Sequence, residues 1–144
     1  MVRLKKTRTL LGTDLKITDS ENGADLQISP TGDLSTISAQ YNIGQAILSR
    51  IRTRKGELRE LGHELLGSRL YEFVGEPNNE RTREAMKAVL RETLSEEPRI
   101  QEITRMEVLP NNSHSDRVDI SVSVLPIGEE VPLNVVIPFY LEVA

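Results

Sequence analysis

The sequence predicts an α+β domain: two main helices packed on a small antiparallel sheet that ends in a C-terminal β-meander with an exposed edge strand. Three observations predict it. Apolar residues recur at helical spacing in two stretches, Ile43–Ile47–Ile51 and Met86–Leu90–Leu94. Beyond Glu97-Pro98-Arg99-Ile100 the spacing changes to every second residue, first along Val118–Val124 and again up to Val143. Pro98 stands at the change, and the residue before a proline is pushed out of helical backbone, so helix gives way to strand there.

Composition bounds the possibilities. A chain of 144 residues is long enough for one domain with its own core, and the whole of 1–144 is taken as that domain. Aromatic residues make up 3% and Trp is absent, so the core must be built from Leu, Ile and Val. A net charge of −4 has none of the basic excess of a nucleic-acid binder. The lack of cysteine excludes disulfides, thiolate zinc sites and a thiol nucleophile. Arg3, Lys5, Lys6 and Arg8 make residues 1–9 a basic stretch, read as a flexible arm and not as a signal peptide, since no apolar segment follows. No apolar run has membrane-spanning length, and the expectation is a soluble protein made in the cytoplasm.

Gly12-Thr13-Asp14-Leu15 reads as a turn, and Asp19–Gly23 as a polar, turn-rich stretch. Leu26-Gln27-Ile28, a turn at Pro30-Thr31-Gly32-Asp33 and then Leu34 predict a small hairpin. The first helix is expected from about Ser38, whose hydroxyl suits an N-cap, to Arg54. Ile43, Ile47 and Ile51, flanked by Gly44 and Leu48, form its apolar stripe. Arg50, Arg52, Arg54 and Lys55 complement the dipole at its end, with Gly56 as the left-handed stop. Docking of an acidic neighbour is the lesser reading of that basic cluster.

Between Glu57 and Gly75 the glycines at 62, 67 and 75 break any long helix, and Leu58, Leu61, Leu65, Leu66, Leu70 and Phe73 are expected to pack on the first helix. Asn79 is the expected cap of the second helix, and Ala85, Met86, Val89, Leu90 and Leu94 its apolar face. Arg99 then presents five donors in a planar fork, suited to a carboxylate or backbone carbonyls; a solvated arginine at a helix stop is the plainer reading of the same residues.

Three strands follow. Thr104, Met106 and Val108 alternate with polar residues, as do Val118, Ile120, Val122 and Val124. The last strand carries Val131, Leu133, Val135, Ile137, Phe139, Leu141 and Val143 on one face. Its prolines, Pro132 and Pro138, share even parity, so both missing N–H groups fall on one lateral edge, which must face outward. The odd edge can pair with the preceding strand. Asn134, Val136 and Tyr140 still offer donors on the outer edge, enough for a short added strand. Proline-blunting of an edge against aggregation explains the same pattern.

Nothing in the spacing specifies catalysis. His63-Glu64 begins like a zinc-protease helix, but Gly67 stands where the second histidine belongs, and His114 lies in a turn-rich stretch. No glycine-rich loop suits a phosphate, and no pair of carboxylates has motif spacing. No cofactor, metal or catalytic residue is expected.

Gly12-Thr13-Asp14-Leu15, Gly32-Asp33-Leu34, Asn42-Ile43-Gly44-Gln45-Ala46-Ile47 and Thr53-Arg54-Lys55-Gly56-Glu57-Leu58 resemble the sheath-initiator baseplate wedge family. These are the gene-product-25-like proteins of contractile phage tails and injection systems, with the TssE-like proteins of type VI secretion. Gly67-Ser68-Arg69-Leu70, Gly75-Glu76-Pro77-Asn78 and the hallmark Glu97-Pro98-Arg99 continue the resemblance in order, over about residues 10–143. Two positions depart from it: Leu66 stands where an aromatic is usual, and Glu64 where a proline often follows the histidine.

The resemblance implies a structural protein of a baseplate. Glu97, Pro98, Arg99 and Ile100 would dock on the helical core bundle formed by neighbouring wedge proteins, with tube or hub proteins as further partners. Asn134, Val136 and Tyr140 would receive strands of the first ring of sheath subunits. Arg99→Ala is then expected to impair wedge assembly and leave the isolated fold intact. Two rivals go with the same resemblance: a regulatory adaptor of this fold, and a lysozyme-type glycosidase.

Overall fold

A computed structural model describes residues 11–20 and 23–142, so the basic stretch 1–9 and Val143 lie outside the described residues. The element order is β1 (Thr13–Leu15), β2 (Ile17–Ser20), β3 (Gly23–Leu26), β4 (Thr36–Ser38), α1 (Gln40–Arg52), α2 (Glu80–Ser95), β5 (Ile100–Pro110), β6 (Arg117–Pro126) and β7 (Leu133–Tyr140). The expected α+β architecture is present: two helices cover one face of an antiparallel sheet of order β5-β6-β7.

The N-terminal segment holds more strand than its turn-rich composition predicts. β1 pairs with β4, and β2 with β3, both antiparallel. Gly12–Leu15, expected as a turn, therefore runs into a strand, and Asp19, Ser20 and Gly23 lie in the β2–β3 hairpin. The predicted hairpin around Pro30–Asp33 is closed by a bridge between Ile28 and Leu34.

This pairing also moves the start of α1. Ser38 is committed to β4 opposite Thr13, so it does not cap; Ala39 precedes the helix at φ 57, with no side-chain cap. The Ala39 N–H donates to Gly12 O at 3.2 Å, which holds that unfavourable backbone in place. The buried stripe is as expected, with Ile43, Ile47 and Ile51 in the core. The helix stops at Thr53, whose backbone is extended and whose N–H and hydroxyl both donate to Ser49 O. Gly56 is left-handed, but in the turn beyond, so it is not the helix stop.

The loop from Glu57 to Gly75 forms two single 3-10 turns, Arg59–Leu61 and Leu70–Phe73. Leu70 is buried and Phe73 packs on the core, whereas Leu61 and Leu65 are exposed. The first turn closes on its own backbone (His63 N to Leu58 O, 3.1 Å), which leaves Leu61 and Leu65 outside, while Leu58 and Leu66 are half-buried and line a groove with α1. Gly67 is obligatory: a Cβ there would lie 2.7 Å from Thr53 O, at φ +115. That approach lets Ser68 donate its hydroxyl to Ile51 O and its N–H to Thr53 O, closing the end of α1.

Asn79 caps α2 by accepting from the Thr82 N–H at 2.9 Å. Met86, Leu90 and Leu94 are buried and Val89 is half-buried; Ala85 is exposed, and the buried Thr82 and Thr93 complete the face. In the sheet, Val118, Ile120, Val122 and Val124 of the central strand are fully buried. β5 departs from simple alternation: register shifts between Ile100 and Glu102 and between Ile103 and Arg105 bring Ile103 against the core and leave Thr104 exposed. β7 begins at Leu133, so Val131 has no strand partner and is 74% exposed instead of joining the apolar face.

Candidate functional site

Two features stand out as candidate docking surfaces: the segment joining α2 to β5, and the free edge of β7.

α2 ends at Ser95, and Glu97 N donates to Leu94 O as the chain turns. The turn swings the Glu97 side chain into the protein, where it is only 4% exposed. A buried carboxylate needs donors. It receives Arg99 Nε at 2.6 Å and Arg99 N at 3.2 Å on Oε1, and Arg99 Nη2 at 3.1 Å and Arg50 Nη2 at 3.3 Å on Oε2. Burial pushes the Glu97 carboxyl up, but the hydrogen bonds from Arg99 and the charges of Arg99 and Arg50 outweigh it and hold its pKa below 4.5. The Arg99 pKa is raised in turn, first by its bonds to Glu97.

Arg99 Nη1 donates to Leu11 O at 3.2 Å, and Asn42 Nδ2 donates to the same oxygen at 2.8 Å. Gln45 extends this clamp: its Nε2 donates to Leu15 O and its Oε1 accepts from Ile17 N. The Asn42–Gln45 motif therefore fastens the N-terminal strands to α1, and Arg99 fastens them to the end of α2. Of the five donors read as available to a partner, three are used inside the chain; the side chain remains 28% exposed. Pro98 is exposed, and Ile100 is half-buried at the start of β5, opposite Pro126.

The basic cluster at the end of α1 also finds acidic partners within the chain. Arg50 approaches Glu96 and Glu97, and Lys55 lies 3.3 Å from Glu96, while Arg69 meets Glu92 at 2.6 Å. Arg50 Nε is buried without an acceptor. A groove of about 290 Å3 opens over this network, walled by Asp14, Gln45, Arg50, Leu58, Glu97 and Arg99.

At the other surface, β7 pairs with β6 only among the described residues. The register runs from Arg117↔Tyr140 to Val124↔Leu133, and Leu141 N donates to Asp116 O in the same register. Odd residues of β7 thus turn their amides to β6, and even residues turn theirs outward, as the proline parity requires. Pro138 lies within the strand and Pro132 just before it, so Asn134, Val136 and Tyr140 keep outward donors. Their side chains are exposed on the solvent face, where Asn134 Oδ1 accepts from Ser121 and Ser123.

Among the described residues, no group of three or more His, Cys, Asp or Glu is placed to hold a metal ion, and no helix is long and apolar enough to cross a membrane. No protein-family model matches the chain, and no curated protein matches it by sequence. Among solved structures it is similar to a Geobacter sulfurreducens protein provisionally designated a tail lysozyme, with a TM-score of 0.60 and 23% identity. The likeness covers 69% of this chain and 87% of that one, and at this identity it concerns the fold.

Proposed function

We propose that this chain is a structural baseplate component of a contractile tail or injection system. On this reading it is made in the cytoplasm, is assembled into the particle's baseplate, and templates the first ring of sheath subunits by strand addition at β7. The observation that carries the proposal is the free outer edge of β7, with donors at Asn134, Val136 and Tyr140. The fold shared with a protein designated a tail lysozyme supports the same setting. Wedge proteins that form a helical core bundle are the proposed partners at Glu97, Pro98, Arg99 and Ile100, where Pro98 is exposed and Arg99 lines the groove.

Val136→Pro tests it. The substitution removes an outward donor not used by β6, so the isolated protein should keep its stability to within about 1 kcal/mol. With sheath and baseplate partners present, sheath rings should fail to nucleate. Sheath growth at the normal rate from the proline variant would refute strand addition.

The designation of the similar structure makes a glycosidase the second reading. Such an enzyme needs a carboxylic acid kept protonated to serve a leaving group. Glu97, the buried carboxylate beside the groove, is held in the opposite, ionised state by two guanidinium groups. We therefore read the chain as non-enzymatic, and a peptidoglycan-release assay should give no activity. A regulatory adaptor of the same fold would instead run as a free species of 16.2 kDa on native fractionation, with no particle-bound pool.

A further inference from the structure

The edge of β7 is not uniform. Near its C-terminal end a groove of about 200 Å3 is lined by Ile137, Pro138 and Phe139 of the strand and by Ile51, Leu70, Tyr71 and Val74 opposite. Successive strand side chains point to opposite faces, so three consecutive residues line one groove only where it follows the lateral edge. The volume suits one large side chain: a cavity of about 150 Å3 accommodates a benzene ring. Arg54 also lines the groove, its guanidinium carbon 5.3 Å from the centroid of the Tyr71 ring.

We propose that this groove is an anchor subsite for the added strand, and this rests on the strand-addition reading above. The occupant is an extended segment of a partner polypeptide that seats one large aliphatic or aromatic side chain in the groove. An acidic residue two positions from that anchor, on the same face of the added strand, faces Arg54. The geometry sets the position. A residue opposite Ile137 or Phe139 projects to their side of the sheet, toward the helices, where the groove lies. Pro138 interrupts the row of outward donors at the same place, so main-chain pairing is weakest where the side-chain contact is available. The anchor also fixes register. A slip of one residue would turn it to the opposite face, where Ser121 and Ser123 both donate to Asn134 Oδ1.

The test uses the full chain extended at its C-terminus by a flexible Gly/Ser linker and a ten-residue threonine-rich strand. The central residue of that strand is Leu or Ser, with Glu two residues further on so that both face the groove; the tether gives the probe a high effective concentration. Amide hydrogen exchange at Asn134 and Val136 reports strand addition whatever the side chain. The Leu probe should protect these amides at least about tenfold more than the Ser probe. Val74→Phe, which fills the groove, should erase that advantage and leave the protection by the Ser probe in place. Exchanging the probe's Glu for Gln should lower protection severalfold, and Arg54→Gln should remove that difference. Equal protection by the Leu and Ser probes would overturn the anchor subsite and leave strand addition standing. No protection by either would overturn both. Concentration-dependent protection of the unextended chain would show a second copy at the edge, and would overturn a foreign strand as occupant.

Discussion

Arg99→Ala removes two bonds to the buried Glu97 side chain and one to the Leu11 carbonyl. Breaking a buried ion pair by deleting one partner costs roughly 3–5 kcal/mol, because the other charge stays buried. Here Arg99 is 28% exposed and Arg50 still contacts Glu97, so the expected loss is smaller, about 2–3 kcal/mol. For a chain of this size that corresponds to a drop of roughly 6–10 °C in Tm. Arg99 is thus tied into contacts within the chain, and the substitution is expected to destabilise the isolated protein as well as any docking at this site.

The sign of the pH dependence follows from Glu97. Its folded pKa lies below 4.5, so as pH falls through this range the unfolded state takes up the proton first. The stabilisation is complete above about 4.5 and is lost as pH drops through the folded value. Without Arg99, burial dominates and raises the carboxyl, so the deficit of the variant should be largest at neutral pH and shrink in acid. Urea denaturation of both proteins at pH 7 and pH 4 measures it. Adding Glu97→Gln removes the stranded charge and should recover part of the loss. The reasoning fails if Arg99→Ala lies within about 0.5 kcal/mol of the parent at pH 7, or if the double variant is no more stable than the single one.

Further substitutions probe the remaining contacts. Gly67→Ala places a Cβ 2.7 Å from Thr53 O at φ +115, and should cost roughly 3 kcal/mol or more, read as a lowered urea midpoint. Asn42→Ala removes a buried donor from Leu11 O; a loss of about 1–2 kcal/mol is expected, with amides of Thr13–Leu15 exchanging faster before those of β6 do. Asn79→Ala removes the cap of α2 and should cost about 1 kcal/mol by thermal denaturation, whereas Asn79→Asp should be close to neutral.

What the sequence showed depended on whether neighbouring residues or distant ones decide the outcome. Asn79 was readable because its capping partner, Thr82 N, is three residues away. β6 was readable because a central strand without a bulge preserves strict alternation over Val118–Val124. Ser38 was misread: its cap propensity was overridden by pairing with Thr13, a contact that local sequence does not display. The β5 bulges shifted the inward position from Thr104 to Ile103, and a residue count cannot locate a bulge. At the clasp, Glu97 and Arg99 were both singled out, but Arg50 lies 47 residues from Glu97 and Leu11 lies 88 from Arg99. Tertiary packing brings them together, so the sequence could offer donors and acceptors without assigning them to each other. The outer edge of β7 was readable because proline parity is a local, geometric signal.

The two kinds of signal carry different information about function. The short motifs that give the chain its family resemblance are largely occupied in holding the fold. Asn42 holds the Leu11 carbonyl with Gly12 close against its amide, Gly67-Ser68 closes α1, Asn78 ties α2 to the β5–β6 connection, and Glu97-Arg99 locks the N-terminal strands. A chain with these motifs would adopt this fold whether it served in a baseplate or as a free adaptor. The β7 edge differs, because its outward donors and apolar groove take no part in pairing with β6 and are, on the proposed reading, where another strand adds. Stability measurements on the motif residues therefore test the fold, and a baseplate component and an adaptor would give the same results. Val136→Pro separates them, since it leaves the internal contacts in place and changes only what the edge can offer to another chain.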